Sequence, residues 1–358
     1  MQVVEKARLR PGMVLGQDIY NFGHQIVIKK GTVLSDHQIQ QLRNFSILRV
    51  QIEDELIETT ASKKYSRTAY SKNVQKSPEF QRFQKEYDQE IRSFEKYLNS
   101  AVRKNINLDT DYLYRQVVHL LRDIGDGFTA FDMVQNMRHY DDSTFAHSIN
   151  VGLLCYIFAG WLNFPEEDKQ TLTVAGILHD IGKTEIPISI IQKPGKLNDE
   201  EFRIVKRHPD LGYKILADNC LNYHIRNVAL MHHERCDGSG YPKGLQDREI
   251  DYFAKLVSIV DVYDAMTSPR VYRGAMCPFD VIKTFEDEGL QKYDSEGIMI
   301  FLKRIADSYL GEMVRLSDER TGKIIYINIQ DLSRPTIQLQ DGILDLHKEK
   351  ELFIKDML

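Results

Sequence analysis

Apolar side chains recur every three or four positions from Phe80 to Val102, at Phe80, Phe83, Tyr87, Ile91, Phe94, Leu98 and Val102. That period puts them on one face of a helix, with polar residues on the other. Such a stripe packs either on the next domain or on a second subunit, the latter giving a homodimer. From about residue 110 to 310 the pattern stays helical, with loops at Pro165, Pro187, Pro194-Gly195, Gly238 to Gly244 and Pro278. Beyond about residue 312 the period shortens. Val314 to Ser317, Lys323 to Ile329 and Thr336 to Leu339 read as three short strands, with turns at Arg320 to Gly322 and Ser333 to Pro335. At the other end, Asp18 to Ile28 and Thr32 to Leu34 read as a hairpin turned at Lys29-Lys30-Gly31. Ser35 and Gln38 form a capping box for a short helix through Leu42, and Ile47 to Ile52 alternates as a strand. Residues 59 to 78 have the polar, Ser- and Lys-rich composition of a linker. The expected organisation is mainly α: a small α+β unit over 1–58, a linker and amphipathic helix over 59–109, a helical domain over 110–311, and a β-rich extension over 312–358. Neither an internal repeat nor a low-complexity segment is evident.

Composition narrows the function classes. The 358 residues carry a net charge of -5 and contain no long basic run, which argues against a nucleic-acid polymer as partner. A small phosphate ligand needs only two or three well-placed cations and stays open. Cys155, Cys220, Cys236 and Cys277 form no CxxC pair, so reduced thiols are expected rather than a zinc ribbon or a redox site. The first residues lack the apolar core of a signal peptide. The most apolar run, Val151 to Phe164, is shorter than the roughly 20 residues that a bilayer requires and reads as a buried core helix. A soluble, cytoplasmic protein is expected.

The chemistry concentrates in the helical middle. His179-Asp180 ends an apolar helix in AGILHDIGK, followed by Gly182 as an expected helix C-cap and Lys183 at the mouth of a site. An imidazole beside a carboxylate can hold one divalent ion and let the carboxylate reach a second. His147 lies upstream in FAHSINVGLL, His208 in VKRHPDLG, and His232-His233 close NVALMHH. Asp261 sits among valines and isoleucines in KLVSIVDVYDAM, where a carboxylate is poorly solvated unless a cation awaits it. Any one such histidine is more often a satisfied core residue than a ligand. His119, His139 and His224 lack comparable surroundings and take that plain reading. The joint pattern carries the inference of a metal site.

These segments resemble a known family. HDIGKTEIP, KPGKLNDEEF, VKRHPDLGYKIL, HHERCDGSGYPKGL and IVDVYDAMTSPRVYR follow one another as in HD-GYP domains, a branch of the HD superfamily of metal-dependent phosphohydrolases. The likeness spans roughly residues 140 to 310. It implies an all-helical HD-superfamily domain and a cyclic di-GMP phosphodiesterase. The implied metal ligands are His147, His179, Asp180, His208, His232, His233 and Asp261, with Asp180 bridging two ions, commonly iron or manganese. Asp180 and Lys183 are the implied catalytic groups. Lys183, Arg270 and Arg273 are the implied contacts to substrate phosphates. Gly240, Tyr241 and Pro242 form the loop that gives the family half its name. The loop's glycines and proline also suit a simple turn-rich connection, but its place directly after His232-His233 sets it at the pocket border. In the family this loop is also viewed as a docking surface for diguanylate cyclase domains.

One departure bears on the metal count. Three-metal members carry a glutamate one turn before the first histidine ligand, and here Ser143 holds that place. Asp141 and Asp142 do not lie one turn before His147. Two ions are therefore expected, and pGpG rather than GMP as main product. Two cations about 3.5–4 Å apart activate water for in-line attack on phosphorus. Two other readings remain: a phosphodiesterase for another cyclic dinucleotide such as cyclic GMP-AMP, and a receptor or scaffold with weak catalysis. The complete ligand set disfavours the last.

Overall fold

The computed structural model describes residues 2–5, 13–15, 19–20, 26–28, 30–32, 34, 49–52, 74–104, 107–122, 130–137, 144–193, 197–219, 221–268 and 276–358. They fall into two units, Met1–Lys64 and Tyr65–Leu358.

In the first unit β1 (Gln2–Glu5) pairs antiparallel with β4 (Arg49–Ile52), and β2 (Ile19–Tyr20) with β3 (Ile26–Ile28). The hairpin differs from the sequence expectation. Asp18 to Ile28 is not one arm, because β2 and β3 lie within it and pair with each other. The Lys30-Gly31 turn instead returns the chain to an earlier segment: Gly31 N donates to Leu15 O, Leu15 N to Thr32 O, and Leu34 N to Met13 O. The short helix expected from Ser35 to Leu42 lies outside the described residues.

The second unit is helical, with a sheet at its C-terminal end. In chain order its helices are α1 (Pro78–Lys104), α2 (Thr110–Leu121), α3 (Ala130–Met137), α4 (Thr144–Trp161), α5 (Glu166–Leu178), α6 (Ile188–Ile191), α7 (Asp199–Val205), α8 (His208–Asp218), α9 (Tyr223–Met231), α10 (Tyr252–Thr267), α11 (Pro278–Glu288) and α12 (Ser295–Asp307). α4 is the central one. It packs against α1, α2, α3, α5, α10 and α12, which explains why it is apolar on nearly every side. Half of the Val151–Phe164 run is thereby buried within the protein, and among the described residues no helix is long and apolar enough to cross a membrane.

The stripe on α1 is covered within the same chain. Phe80, Phe83, Tyr87, Phe94 and Leu98 are buried, and the Tyr87 hydroxyl donates to Asn150 Oδ1 at 2.6 Å. Each such aromatic side chain contributes about 1.5–3 kcal/mol by leaving water.

Five strands follow: β5 (Met313–Leu316), β6 (Thr321–Tyr326), β7 (Thr336–Leu339), β8 (Gly342–Asp345) and β9 (Ile354–Met357). They form one antiparallel sheet in the order β8-β7-β6-β5-β9. The pattern read three strands. β8 and β9 escaped it because neither shows a clean alternation of buried and exposed positions. The sheet joins the helical core through Val314, Leu316, Ile324, Ile337, Ile354 and Met357, and Leu332 N donates to Glu286 Oε1 of α11 at 2.6 Å.

Candidate metal centre

Donor side chains come from five helices, and mostly from their ends. His147 lies in the first turn of α4, His179 caps the C-terminus of α5, and Asp180 follows it. His208 opens α8, His232 caps the C-terminus of α9, and His233 comes next. Asp261 lies in the middle of α10.

Helix ends orient these imidazoles. The last carbonyls of a helix have no partner inside it. His179 Nδ1 donates to Gly176 O at 2.7 Å, and His232 Nδ1 to Val228 O and Ala229 O at 3.0 and 3.1 Å. His208 Nδ1 donates likewise to Val205 O at 2.8 Å, at the end of α7. A carbonyl oxygen can only accept, so the proton sits on Nδ1 and Nε2 carries a bare lone pair.

Those lone pairs converge on Asp180. Its Oδ2 lies 3.3 Å from His179 Nε2 and 3.9 Å from His147 Nε2. Its Oδ1 lies 3.3 Å from His208 Nε2 and 3.7 Å from His232 Nε2. Asp261 Oδ1 is 3.1 Å from His147 Nε2 and 3.8 Å from His179 Nε2, and its Oδ2 is 4.0 Å from His233 Nδ1. Two donor groups result: His147 with His179 and Asp180, and Asp180 with His208, His232 and His233. Asp180 belongs to both.

The donor set fits cations. His179 Nε2 and Asp180 Oδ1 are buried and have no hydrogen-bond partner among the described residues, and His208 Nε2 faces His232 Nε2 at 3.2 Å. Lone pairs gathered around a carboxylate repel one another, and leaving them unsatisfied in a buried place costs several kcal/mol. A divalent ion among them turns the same arrangement favourable. Imidazole with carboxylate suits iron, manganese and zinc.

The electrostatics divide along Asp180. Burial pushes the His208 imidazole down to about 3 and the His232 and His233 imidazoles below their usual range. Burial also opposes charge on His147, but its bonds to Asp261 and Asp264 outweigh that and raise it to about 9. Burial would raise both Asp180 and Asp261. Lys183 and His179 overcome this at Asp180, and His147 and His179 at Asp261, so both carboxyls are held well below the usual range.

Lys183 reaches the site by a different route from the one expected. Gly182 is not the C-cap of α5; His179 is, and Gly182 lies within the 3-10 turn Ile181–Glu185. It must lack a side chain because α8 crosses there: a Cβ would collide with His208 O and Gly212 N. From this turn the Lys183 ammonium donates to Asp180 Oδ2. Arg270, Arg273, Ser143, Asp141, Asp142 and His139 lie outside the described residues. His224 is bonded to Asp251 at 2.9 Å, in keeping with its plain reading. Cys155 and Cys236 are free thiols, and Cys220 lies outside the described residues.

Sequence reading missed two carboxylates. Asp264 Oδ2 accepts from His147 Nδ1 at 2.7 Å and so orients that imidazole. Its position three residues after Asp261, on the same face of α10, was the available signal. Glu234 is buried, and its two oxygens accept from Lys243 N at 2.7 Å and Leu245 N at 2.9 Å. It thereby closes the loop holding Gly240, Tyr241 and Pro242, and Tyr241 stacks on His233 with ring centroids 4.6 Å apart.

Comparison with known proteins agrees with this geometry. Residues 132–297 match the family model described as an HD domain. A cyclic di-GMP phosphodiesterase of Pseudomonas aeruginosa is 36% identical over 204 residues, covering 57% of this chain and 49% of the relative. One of Thermotoga maritima is 36% identical over 193 residues, covering 52% of each. A 3'3'-cGAMP-specific phosphodiesterase of Vibrio cholerae is 39% identical over 145 residues, covering 40% of this chain and 34% of the relative. The chain thus spans about half the length, or less, of the curated relatives it matches. Residues 132–297 of its helical unit are thus similar to an HD domain, and its motifs resemble those of HD-GYP domains.

Proposed function

We propose that this chain is a phosphodiesterase that opens cyclic di-GMP to pGpG, with GMP as a slower product. The observation that carries this reading is the buried ring of bare imidazole nitrogens around Asp180, with His179 Nε2 and Asp180 Oδ1 lacking a hydrogen-bond partner among the described residues. The names of the relatives supply the substrate class.

Two ions, iron or manganese, would be held by His147, His179 and Asp180 on one side and by Asp180, His208, His232 and His233 on the other. Asp261 would serve the first side and Ser143 would leave no third site. When bound, such ions supply Lewis acidity and lower the pKa of water toward neutrality. The chain's own groups do the remaining work. Asp264 keeps the Nε2 edge of His147 aimed inward by accepting a hydrogen bond from its Nδ1–H. Lys183 holds a positive charge beside Asp180, where it would meet a phosphate oxygen. Arg270 and Arg273 are proposed to bind the other phosphate. The unit over residues 1–58 is proposed as regulatory, in a cytoplasmic enzyme.

A second reading, with cyclic GMP-AMP as substrate, is favoured by the 39% identity to a Vibrio cholerae enzyme specific for it. Anaerobic purification, elemental analysis and product analysis on both cyclic dinucleotides test the two together. Two ions per chain and preferred release of pGpG are expected. Turnover of cyclic GMP-AMP alone would shift the assignment to the second reading, and a metal-free, inactive chain would overturn both.

A further inference from the structure

His233 differs from the other four histidines of the centre. Each of those has its Nδ1 bonded: His179, His208 and His232 to backbone carbonyls, His147 to Asp264. Among the described residues the His233 ring takes no hydrogen bond, and its Nδ1 lies 4.0 Å from Asp261 Oδ2. A metal-binding imidazole is ordinarily fixed by such an outer bond. What fixes this one is a ring. Tyr241 lies against it with a centroid separation of 4.6 Å and an interplanar angle of 28°. Tyr241 N also donates to His233 O at 3.2 Å, tying backbone and ring together. Lys206 Nζ lies 5.0 Å from the Tyr241 centroid, a cation over an electron-rich ring.

The loop carrying Tyr241 is built to hold that position. Glu234 clamps its far side through Lys243 N and Leu245 N. Gly240 lies so close to the start of the loop that a Cβ would collide with the Glu234 and Arg235 backbone. Arg235 Nη1 in turn donates to Ser258 Oγ of α10 at 2.8 Å and to His232 O at 3.3 Å.

We propose that Tyr241 is the positioning residue of His233, its stacked ring replacing the missing outer hydrogen bond, and that Glu234 locks the loop which presents it. This rests on the reading of His233 as a metal ligand. The ring sets the imidazole plane and so the affinity of one of the two ion sites, while the phenol hydroxyl has no part in it.

The test needs no substrate. The metal-free full chain is titrated with Co(II) against a competing chelator, and the visible absorption of bound Co(II) is recorded as a signature of ligand number and geometry. Wild type is expected to take up two ions. Tyr241→Phe keeps both dissociation constants within about twofold and keeps the spectrum. Tyr241→Ala weakens one site by about 10–100-fold, the usual effect of losing an outer-sphere support, and changes its absorption. Tyr241→Leu, which fills the space without a flat ring, behaves like Tyr241→Ala, and Glu234→Gln moves the same site by a smaller factor. Circular dichroism identifies any variant that fails to fold, and the paired substitution at Tyr241 then decides. Wild-type affinity and spectrum in the folded Ala or Leu variant would overturn the proposal, as would a Phe variant as weak as Ala. Both results leave the metal reading intact. A wild-type chain that binds no Co(II) would instead overturn the metal reading and this proposal with it.

Discussion

The two sides of Asp180 use the same side chains in opposite electrical settings. On the side of His208, His232 and His233, burial dominates and the imidazoles are held neutral. On the side of His147, two carboxylates of α10 approach within 2.7 and 3.1 Å, and the imidazole retains a proton up to about pH 9. The first side offers its lone pairs ready-made. The second must exchange a proton for its ion, gaining in return the attraction of Asp261. One domain therefore holds two donor groups with different pH dependence, set by how many carboxylates lie behind each imidazole.

The largest expected effect comes from the residue that the two sides share. Asp180→Asn keeps the shape but removes the charge, so both ions and turnover should fall together, with activity down by more than about 10³-fold. Elemental analysis alongside a product assay checks this, and an active variant with two ions would sink the bridging role. Next in size are variants of one side only. His147→Gln and His208→Gln should each lower the metal content from two ions to one per chain, and loss of both ions from either would show that the sides are not separate.

Proton competition sharpens the comparison. Because the His147 pKa is raised to about 9, a proton opposes ion uptake on that side at every pH below 9. Affinity there should climb from pH 6 to pH 9 by up to about tenfold per unit, while the His208 side stays nearly level. Titrating His147→Gln and His208→Gln separately with Co(II) isolates the two slopes, and equal slopes would refute the electrical asymmetry. Asp264→Asn should cost the His147 side about tenfold in affinity and shift its rise to lower pH, since one source of the raised pKa is gone.

The smallest expected effect is on the metal-free fold. His208 has a folded pKa near 3, below the value of about 6.5 in an unfolded chain. Below pH 6.5 the unfolded state therefore binds more protons, and stability falls as pH drops from 6.5 toward 3. His147 works the other way: its raised pKa adds stability that is full below pH 6.5 and lost as pH rises through 9. Thermal unfolding of metal-free protein at pH 5 and pH 7 should show a smaller drop in His208→Asn than in wild type. An equal drop would place the acid sensitivity elsewhere.

Local pattern fixed a good deal of this. The stripe from Phe80 to Val102 became α1, the Val151 run became the buried α4, and the strand read at Ile47 to Ile52 became β4. The residue types that can bind a cation were legible because His and Asp stand out among apolar neighbours and at helix ends. Turn positions and strands without a clean alternation were not, since a strand is read from its period. The Asp18 to Ile28 run and the strands β8 and β9 show this.

Convergence is what only the tertiary structure decided. His147 and Asp261 are 114 positions apart yet 3.1 Å apart in space, and no local period relates them. The same holds for Asp264 behind His147, 117 positions along the chain. Gly182 looked like a helix cap from its neighbours in the chain, but the helix passing over it is the reason for the missing side chain. Periodicity reports which face a residue takes on its own element. Which lone pairs end up facing one another depends on how helices far apart in the chain are packed.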